Sequence, residues 1–587
     1  MGPKTVELRP DRKKIRSNFD GYKLNLDPIP VLRYELQNTP IRVCTTERQF
    51  SFLHAQMFAF HNHLVKDPWV LNTSYFIDSN WTVQKVIYDD QSGKVKPMNA
   101  VLKLQKPSVA IEDKYPPCLI FVSEKFCLIS DGFGALHVAE TGDREKNSEF
   151  KIRQSFKPLT DVSETFVISN ARFDILDGVW KIGCILSFIH QNKDNFETVA
   201  YWFVLRQESN VWKIESSKVI RSRGALSYCA LEHRGEALIV SSDYPVDFET
   251  NIKKREEQLK KLKSQAEEKS KEDDTTNESK EDTEMMEKDI PKNVSYTWTQ
   301  TDEDVTITFN EQPDSCKADY LVQVTRDQIL IKYRGDVMLQ GELFAHIDPD
   351  TTTWTIDNRY LQVNLNKAEL EKIWPFLVPG SPEDSNNPTT DSQTHPNPIS
   401  TFGTQMEECD FDINELDKEN YLSRLVWSSE EISHKVYLGT SAPLFEVNLR
   451  PGLPNAIALK HDVDACVWLQ THNSTKNSEW TMSHETTIDA FSYVLASKQQ
   501  KKFVGCAPNA SYVVICEAER HVFIYKQTYD GAGNLRNRTT RTPVNLGQQK
   551  LVTLENTGEV IGMSVENDVT LLLTPQFVIC IQLKIEE

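Results

Sequence analysis

Apolar residues along this chain come in short runs with turn residues between them. Cys118-Leu119-Ile120-Phe121-Val122 is followed by Phe126-Cys127-Leu128-Ile129, a turn at Asp131-Gly132, and Ala135-Leu136-His137-Val138. Short runs rich in β-branched and aromatic residues, at that spacing, predict adjacent antiparallel hairpins. The pattern returns at Phe166 to Ser169, Gly183 to Ile189, Ala200 to Leu205, Val211 to Ile214 and Ala237 to Ser241. It resumes with three pairs that each read as a hairpin: Lys435 to Gly439 with Leu444 to Val447, Ala490 to Ala496 with Lys502 to Cys506, and Tyr512 to Cys516 with Val522 to Tyr525. Val560 to Val565, Thr570 to Leu573 and Phe577 to Leu583 end the series. Long helical periodicity is scarcely visible.

Two segments break this texture. Residues 251–292 are nearly all Lys, Glu, Asp, Ser and Thr, with a charged helical stretch from Lys253 to Lys271 that carries only Leu259 and Leu262. With so little to bury, the segment reads as a charged, disordered tether. Residues 379–404 hold Pro382, Pro388, Pro396 and Pro398 among Ser, Thr, Asn and Asp, which is linker composition. The chain therefore divides into 1–250, a tether, a compact unit at 293–378, a linker, and 405–587.

So many short strands need an architecture that leaves few raw edges, and radial repetition of four-stranded blades provides one. The strand series predicts an all-β fold: a β-propeller of about seven blades built from both flanks, with the middle unit inserted in a loop. A pair of sandwiches is the alternative.

In the middle unit the alternation is cleaner. Tyr296 to Gln300, Asp304 to Phe309, Tyr320 to Val324, Gln328 to Tyr333, Gln340 to Ile347, Thr353 to Ile356 and Tyr360 to Leu365 each alternate large and polar residues. Period-2 runs of this kind predict a small antiparallel β-sandwich. The order Tyr296-x-Trp298-x-Gln300, Gly341-Glu342-Leu343-Phe344, Asp350, Trp354, Ile356-Asp357, Leu361-x-Val363-x-Leu365-x-Lys367 and Trp374 resembles the CS domain of the NudC family. The resemblance extends to the flanks, in Asn18-Phe19-x-Gly21-Tyr22-Lys23-Leu24, His461-Asp462-Val463-Asp464-Ala465, Cys506-Ala507-Pro508-Asn509-x-Ser511-Tyr512 and Arg520-x-Val522-Phe523-Ile524-Tyr525.

What the resemblance implies is a protein-binding co-chaperone without catalytic residues or cofactors, located in cytoplasm and nucleus. Its implied partners are a ninety-kilodalton heat-shock chaperone, β-propeller clients, or motor and transport complexes. Tyr296, Trp298, Leu343, Phe344, Trp354, Asp357, Lys367 and Trp374 are the candidates for protein binding or for the CS fold. Alternation favours the core for most of the large ones, Leu343 and Trp354 included.

Composition agrees with a binding protein. Aromatic residues make up 10% of the 587, enough for real cores, and acidic residues outnumber basic ones by 85 to 66. A formal charge of −19 disfavours direct nucleic-acid binding and docking on anionic lipid. The 11 cysteines include no C-x-x-C, so reduced, mostly buried thiols are expected and zinc is not. Neither a signal peptide nor a membrane span is expected, and a monomer is. His61-Asn62-His63 and His461-Asp462-x-Asp464 lack the further ligands of a metal site, and Gly132-Phe133-Gly134 reads as a hairpin turn, not a phosphate cradle. Two other functions stay open: a scaffold in transport or RNA-processing complexes, recognised through the propeller, and a propeller hydrolase. The hydrolase needs convergent carboxylates that sequence spacing does not single out.

Overall fold

The computed structural model describes residues 3–583 apart from 17, 108–112, 147, 160–164, 193–194, 256, 258–295, 301–303, 310–318, 335, 358–359, 369–373, 375, 379–419, 471–479, 530–535 and 537–540. Most of the two expected tethers, with the helical stretch bearing Leu259 and Leu262, lies outside these residues. The chain forms two compact units, Met1–Lys271 together with Glu408–Glu587, and Glu272–Glu407.

Among the described residues, the larger unit is built of seven sheets of four or five strands. Each begins with a strand that follows the previous sheet in the chain: Val65–Lys66, Cys118–Phe121, Val167–Leu176, Leu226–Leu231, Phe445–Val447, Lys501–Cys506 and Gly562–Val565. Several second strands, Thr73–Ile77, Phe126–Ser130, Ala237–Ser242 and Val569–Leu573, are buried at every residue. They have neighbours on both faces, which is why they read as continuous apolar runs instead of alternating ones.

The apolar interior is seven clusters, each between one sheet and the next. Leu128 and Val138 pack on Ile182 and Phe203 between the second and third sheets. Trp202 meets Val240 and Leu425, Tyr228 meets Ile457 and Trp468, and Phe445 and Phe491 meet Ile515 and Tyr525. Val514 and Ile524 meet Leu572 and Ile579, Leu571 and Val578 meet Phe76 and Val86, and Tyr75 meets Phe121 and Ile129. The sixth of these contacts joins the last sheet to the first. Each large side chain so buried contributes about 1.5–3 kcal/mol.

Two sheets unite distant parts of the chain. In the fourth, Ala237–Ser242 pairs antiparallel with Asn420–Val426, so the inserted unit interrupts a sheet between its second and third strands. In the seventh, Val31–Glu35 pairs antiparallel with Phe577–Gln582, joining the two ends of the chain. The segment before Val31 adds further edges: Lys4–Thr5 lies parallel to Glu431–Gly439, and Phe19–Asn25 lies parallel to Asn545–Thr553. Tyr22 anchors this arm. Its hydroxyl donates to the Asp489 carbonyl (2.6 Å) and accepts from Gln527 Nε2 (2.8 Å), while its ring meets Tyr525 at 5.0 Å. Position 547 must be glycine here, since a Cβ there would stand 2.6 Å from the Tyr22 ring. The family-like run around Gly21 and Tyr22 is thus a structural seam.

Three local expectations are corrected. Lys435 to Gly439 and Leu444 to Val447 do not form a hairpin: Glu431–Gly439 pairs with Asn420–Val426, and Phe445–Val447 pairs with Ala456–His461 in the next sheet. The run Ala490 to Ala496 is not a strand but the helix Phe491–Ala496. Ala490 takes a left-handed φ of 50° and its N–H donates to Asp464 Oδ1 (2.6 Å), which turns the chain so that Phe491 and Leu495, four apart, face the core together. Gln340 to Ile347 is not one strand either, because Asp336–Glu342 ends and Ile347–Asp357 begins. The Leu343 N–H turns to the Asp327 carbonyl (2.8 Å) and the Phe344 N–H to the Leu377 carbonyl (3.1 Å).

Gly132 sits in a hairpin turn at φ +72°. Its N–H is held by Ser130 Oγ, and Asp131 Oδ1 accepts from Phe133 N (2.7 Å) and Ala135 N (2.9 Å). A Cβ at 132 would also collide with the Tyr115 carbonyl oxygen. Gly132→Ala is expected to cost about 1–3 kcal/mol; a thermal melt of the full chain that does not move would show that the turn relaxes freely.

The smaller unit is a sandwich of a four-stranded and a three-stranded antiparallel sheet. Tyr296–Gln300, Asp304–Phe309, Tyr360–Lys367 and Ile347–Asp357 form the first, in that order; Tyr320–Val324, Gln328–Tyr333 and Asp336–Glu342 form the second. Among the described residues, no helix is long and apolar enough to cross a membrane.

Candidate interaction site

The sandwich core is made by alternation. Trp298, Val305, Ile307, Phe309, Leu361, Val363 and Leu365 point inward from one sheet, and Ile329, Ile331, Met338 and Leu339 from the other. Trp298, Leu343 and Trp374 belong to this core and are buried. Lys367 is buried as well, and its ammonium donates to Gln300 Oε1 (3.0 Å). That same oxygen accepts from Trp374 N (2.7 Å), and Gln300 Nε2 donates to the Trp374 carbonyl (2.8 Å). Gln300 is therefore the clamp that closes the chain end over the sandwich. Sequence spacing marked it as one strand residue among others.

Tyr296, Phe344 and Trp354 are half-buried against the core. Asp357 pairs through its backbone with Tyr360 at the end of its strand. The Phe344 ring bridges inside and outside, 6.1 Å from Trp374 and 5.1 Å from Phe376, which is 37% exposed. The eight candidates thus do not make one surface: four are interior, and three more lean on the interior. Among the described residues of this unit, the exposed large apolar side chains are Phe376 and Leu321. By register, the outer face of the four-stranded sheet carries Thr299, Thr306, Thr308, Thr355, Gln362 and Asn364, with Asp304 and Asp348 opposite Asn366 at one end, and Thr306 donates to Asn364 (2.9 Å).

The family model described as the CS domain matches residues 294–367, which is this sandwich. NudC domain-containing protein 1 of Mus musculus is 28% identical over 620 residues, covering 100% of both chains. Its Xenopus tropicalis counterpart is 27% identical over 604 residues, covering 98% of each. The chain is thus similar to NudC domain-containing protein 1 along its whole length. Among solved structures, the chain is similar to a nuclear movement protein from E. cuniculi GB-M1, 24% identical over 14% of this chain and 96% of that one, with a TM-score of 0.13.

The larger unit has a feature that sequence reading missed. A cavity of about 770 Å³ is lined by the first strand of every one of its seven sheets. Val65, Ile120, Ile168, Leu231, Val447, Val504 and Val565 are among the lining residues. The charged residues there are Lys66, Glu124, Lys125, Arg172 and Glu446. Lys66 is paired with Glu566 (2.9 Å) and Arg172 with Asp174 (3.0 Å).

Glu446 differs. Its Oε2 accepts from Asn455 Nδ2 (3.1 Å), and among the described residues no cation meets it. The Glu446 side chain is exposed to the cavity. Asn455 is held in turn: its Oδ1 accepts from Asn448 Nδ2 (3.1 Å), its carbonyl accepts from the Tyr228 hydroxyl (2.7 Å), and Tyr228 accepts from Gln470 Nε2 (3.2 Å). The Cys506 thiol, also in the lining, is pushed up to about 12 by burial and stays protonated. Glu446 stands alone between Phe445 and Val447, and the sequence carries no motif that marks it.

Proposed function

We propose that this chain is a NudC-family, non-enzymatic co-chaperone or adaptor of cytoplasm and nucleus. Its CS sandwich contacts a chaperone, such as the ninety-kilodalton heat-shock protein, or a client, and its larger unit binds a protein partner. We propose further that the seven sheets are the blades of a β-propeller. Supporting that reading are the seven interlocking clusters and the pairing of Val31–Glu35 with Phe577–Gln582 across the ends of the chain.

The observation that carries the functional reading is the coincidence of the CS match at 294–367 with a compact unit that has its own buried core. Such a unit presents a surface without help from its host, and the exposed Leu321 and Phe376 are apolar contacts on it. The all-strand cavity favours a second reading, a scaffold recognised through the larger unit.

Affinity capture from cytosol and nuclear extract decides between them, comparing the full chain with one whose 293–378 unit is replaced by a short Gly/Ser linker. Loss of chaperones and propeller clients from the shortened chain is the expected result. An unchanged partner list would make the larger unit the recognition surface and end the co-chaperone reading.

A further inference from the structure

We propose that His484 is a pH-sensitive clasp: as a neutral imidazole it holds residues 3–14 on the outer edges of the fourth and fifth sheets, and protonation of its ring releases them. This goes beyond the co-chaperone reading and does not rest on it.

The arm that precedes Val31 crosses three sheets in turn. At one end a strand of 2 residues, Lys4–Thr5, lies parallel to Glu431–Gly439, and the Val6 N–H donates to the Lys435 carbonyl (2.8 Å). At the other end a strand of 7 residues, Phe19–Asn25, lies on the sixth sheet. Between them the chain meets the fifth sheet at His484, in the strand Met482–Ile488. The Asp11 N–H donates to His484 Nδ1 (3.0 Å), and Lys14 Nζ donates to the His484 carbonyl. Arg16 then pairs with Asp489 and donates to Gln527 Oε1 (3.0 Å). A ladder of two residues stabilises little by itself. Val6 and Leu8 lean on the cluster beneath, and the chain before Arg16 otherwise depends on what His484 holds.

The buried ring has one arrangement that suits all its partners. Nε2 lies 3.0 Å from the Thr486 carbonyl, which only accepts, and 2.9 Å from Thr487 Oγ1. Nε2 therefore carries the proton of the neutral ring, and Nδ1 is left as the acceptor that the Asp11 N–H needs. A second proton has only Nδ1 to go to. There it would set one N–H against another and remove the acceptor.

The surroundings oppose that proton. The Trp468 ring packs at 5.2 Å, the Lys14 ammonium faces the site from the arm, and His461 faces it from Ala456–His461. Asp11 favours an imidazolium, but its carboxylate caps the turn Arg12–Lys14 by accepting from Lys13 N (3.0 Å). Glu485, next in the strand, is turned to Ser483 Oγ (2.6 Å) and Arg450 (3.8 Å). Burial first, against the Thr486 hydrogen bond, and then Lys14 hold the His484 pKa below its ordinary 6.5 while the arm is docked. Once the arm leaves, the ring meets water and binds its proton more tightly. Docking is therefore full above about 6.5 and weakens as pH falls below it, by up to about tenfold per pH unit until the docked ring itself titrates. Release uncovers the Lys435 carbonyl on the edge of the fourth sheet, a ladder position at which another strand can add.

His434, opposite Lys4 in the ladder, and Asp489, paired with Arg16, also lie against the arm, so the test must separate them from His484. Hydrogen exchange on the full chain, corrected for the chemical dependence of exchange on pH, reads the arm through peptides within 4–14. Between pH 7.5 and pH 5.5 their opening is expected to rise at least about tenfold, while peptides within 19–25 and 569–582 keep their protection. H484N sets an amide oxygen near the place of Nδ1 and does not titrate, so its arm should stay protected at both pH values. H484A removes the acceptor, so its arm should be open at both. Where H484A also loosens the fifth sheet, read in peptides within 464–470, the H484N result alone decides. Equal protection of the unsubstituted arm at the two pH values would overturn the proposal. An acid opening that persists in H484N would overturn it too, and would give the response to His434 or Asp489. So would an arm that stays closed in H484A.

Discussion

Trp298→Ala is expected to unfold the CS sandwich while the seven-sheet unit stays folded. Trp298 is wholly buried and packs among the inward residues of both sheets, with Ile307 as its cross-strand partner. Truncating a buried aromatic of this size costs about 3–5 kcal/mol, through lost transfer energy and the void left behind. A domain this small has a total stability on the order of 5 kcal/mol, so the loss removes most of it. The larger unit has its own clusters and shares none of these residues. Hydrogen exchange on the full chain checks both halves: peptides within 296–367 should lose protection, and peptides such as 569–582 should keep theirs. Retained protection in the sandwich would mean that the core tolerates the void and that Trp298 is more than packing. Leu343→Ala, in the same core, should act in the same direction by about 2–5 kcal/mol. A loss of partner binding in either variant would therefore report unfolding and would not locate a contact surface.

The second large effect is expected at Arg144. Its Nε meets Asp67 Oδ2 at 2.7 Å with both side chains shut off from solvent, and its Nη1 donates to the Ser123 (3.1 Å) and Glu124 (2.6 Å) carbonyls. The guanidinium also lies 4.6 Å from the centre of the Phe121 ring. Asp67 accepts further from Trp69 N (3.0 Å) and Val70 N (3.1 Å). Asp67 follows the first strand of the first sheet, and Arg144 follows the third strand of the second, so the pair ties two sheets together. Arg144→Met keeps most of the volume and strands the buried carboxylate, which is expected to cost about 3–5 kcal/mol. The double change Arg144→Met with Asp67→Asn should recover part of that loss, since the stranded charge is gone. Thermal melts of the two variants measure the difference. Equal melting temperatures for the single and the double variant would show that water reaches Asp67 once Arg144 is removed.

Much of this architecture is present in the linear chain. Strand alternation places Trp298, Ile307 and Val363 inside the sandwich before any coordinates, because a period of two leaves a strand only one apolar face. The turn at Gly132 and the runs Cys118 to Val122 and Phe126 to Ile129 are equally local. Each depends on residues within a few positions of one another, and local sterics decide them. The family-like motifs of the middle unit are local in the same sense.

Other features depend on contacts across long stretches of chain. Lys435 to Gly439 could pair with the next apolar run or with Asn420–Val426, and nothing in its own residues chooses. The choice falls to packing against Tyr228 and Ile239 in the fourth sheet, which also contains strands from before the insert. Phe491 and Leu495 suit a strand or a helix until Asp464 caps the turn at Ala490. Asp67 and Arg144 are 77 residues apart, and Tyr228 and Asn455 are 227 apart. Charge pairing, burial of a carboxylate and the meeting of seven first strands around one cavity are properties of those distant neighbours. The sequence by itself therefore determined the strand content, the CS unit and the likeness to NudC domain-containing proteins. Which strands share a sheet, and which residues meet around the cavity, only the tertiary structure decided, because both depend on partners that local pattern does not name.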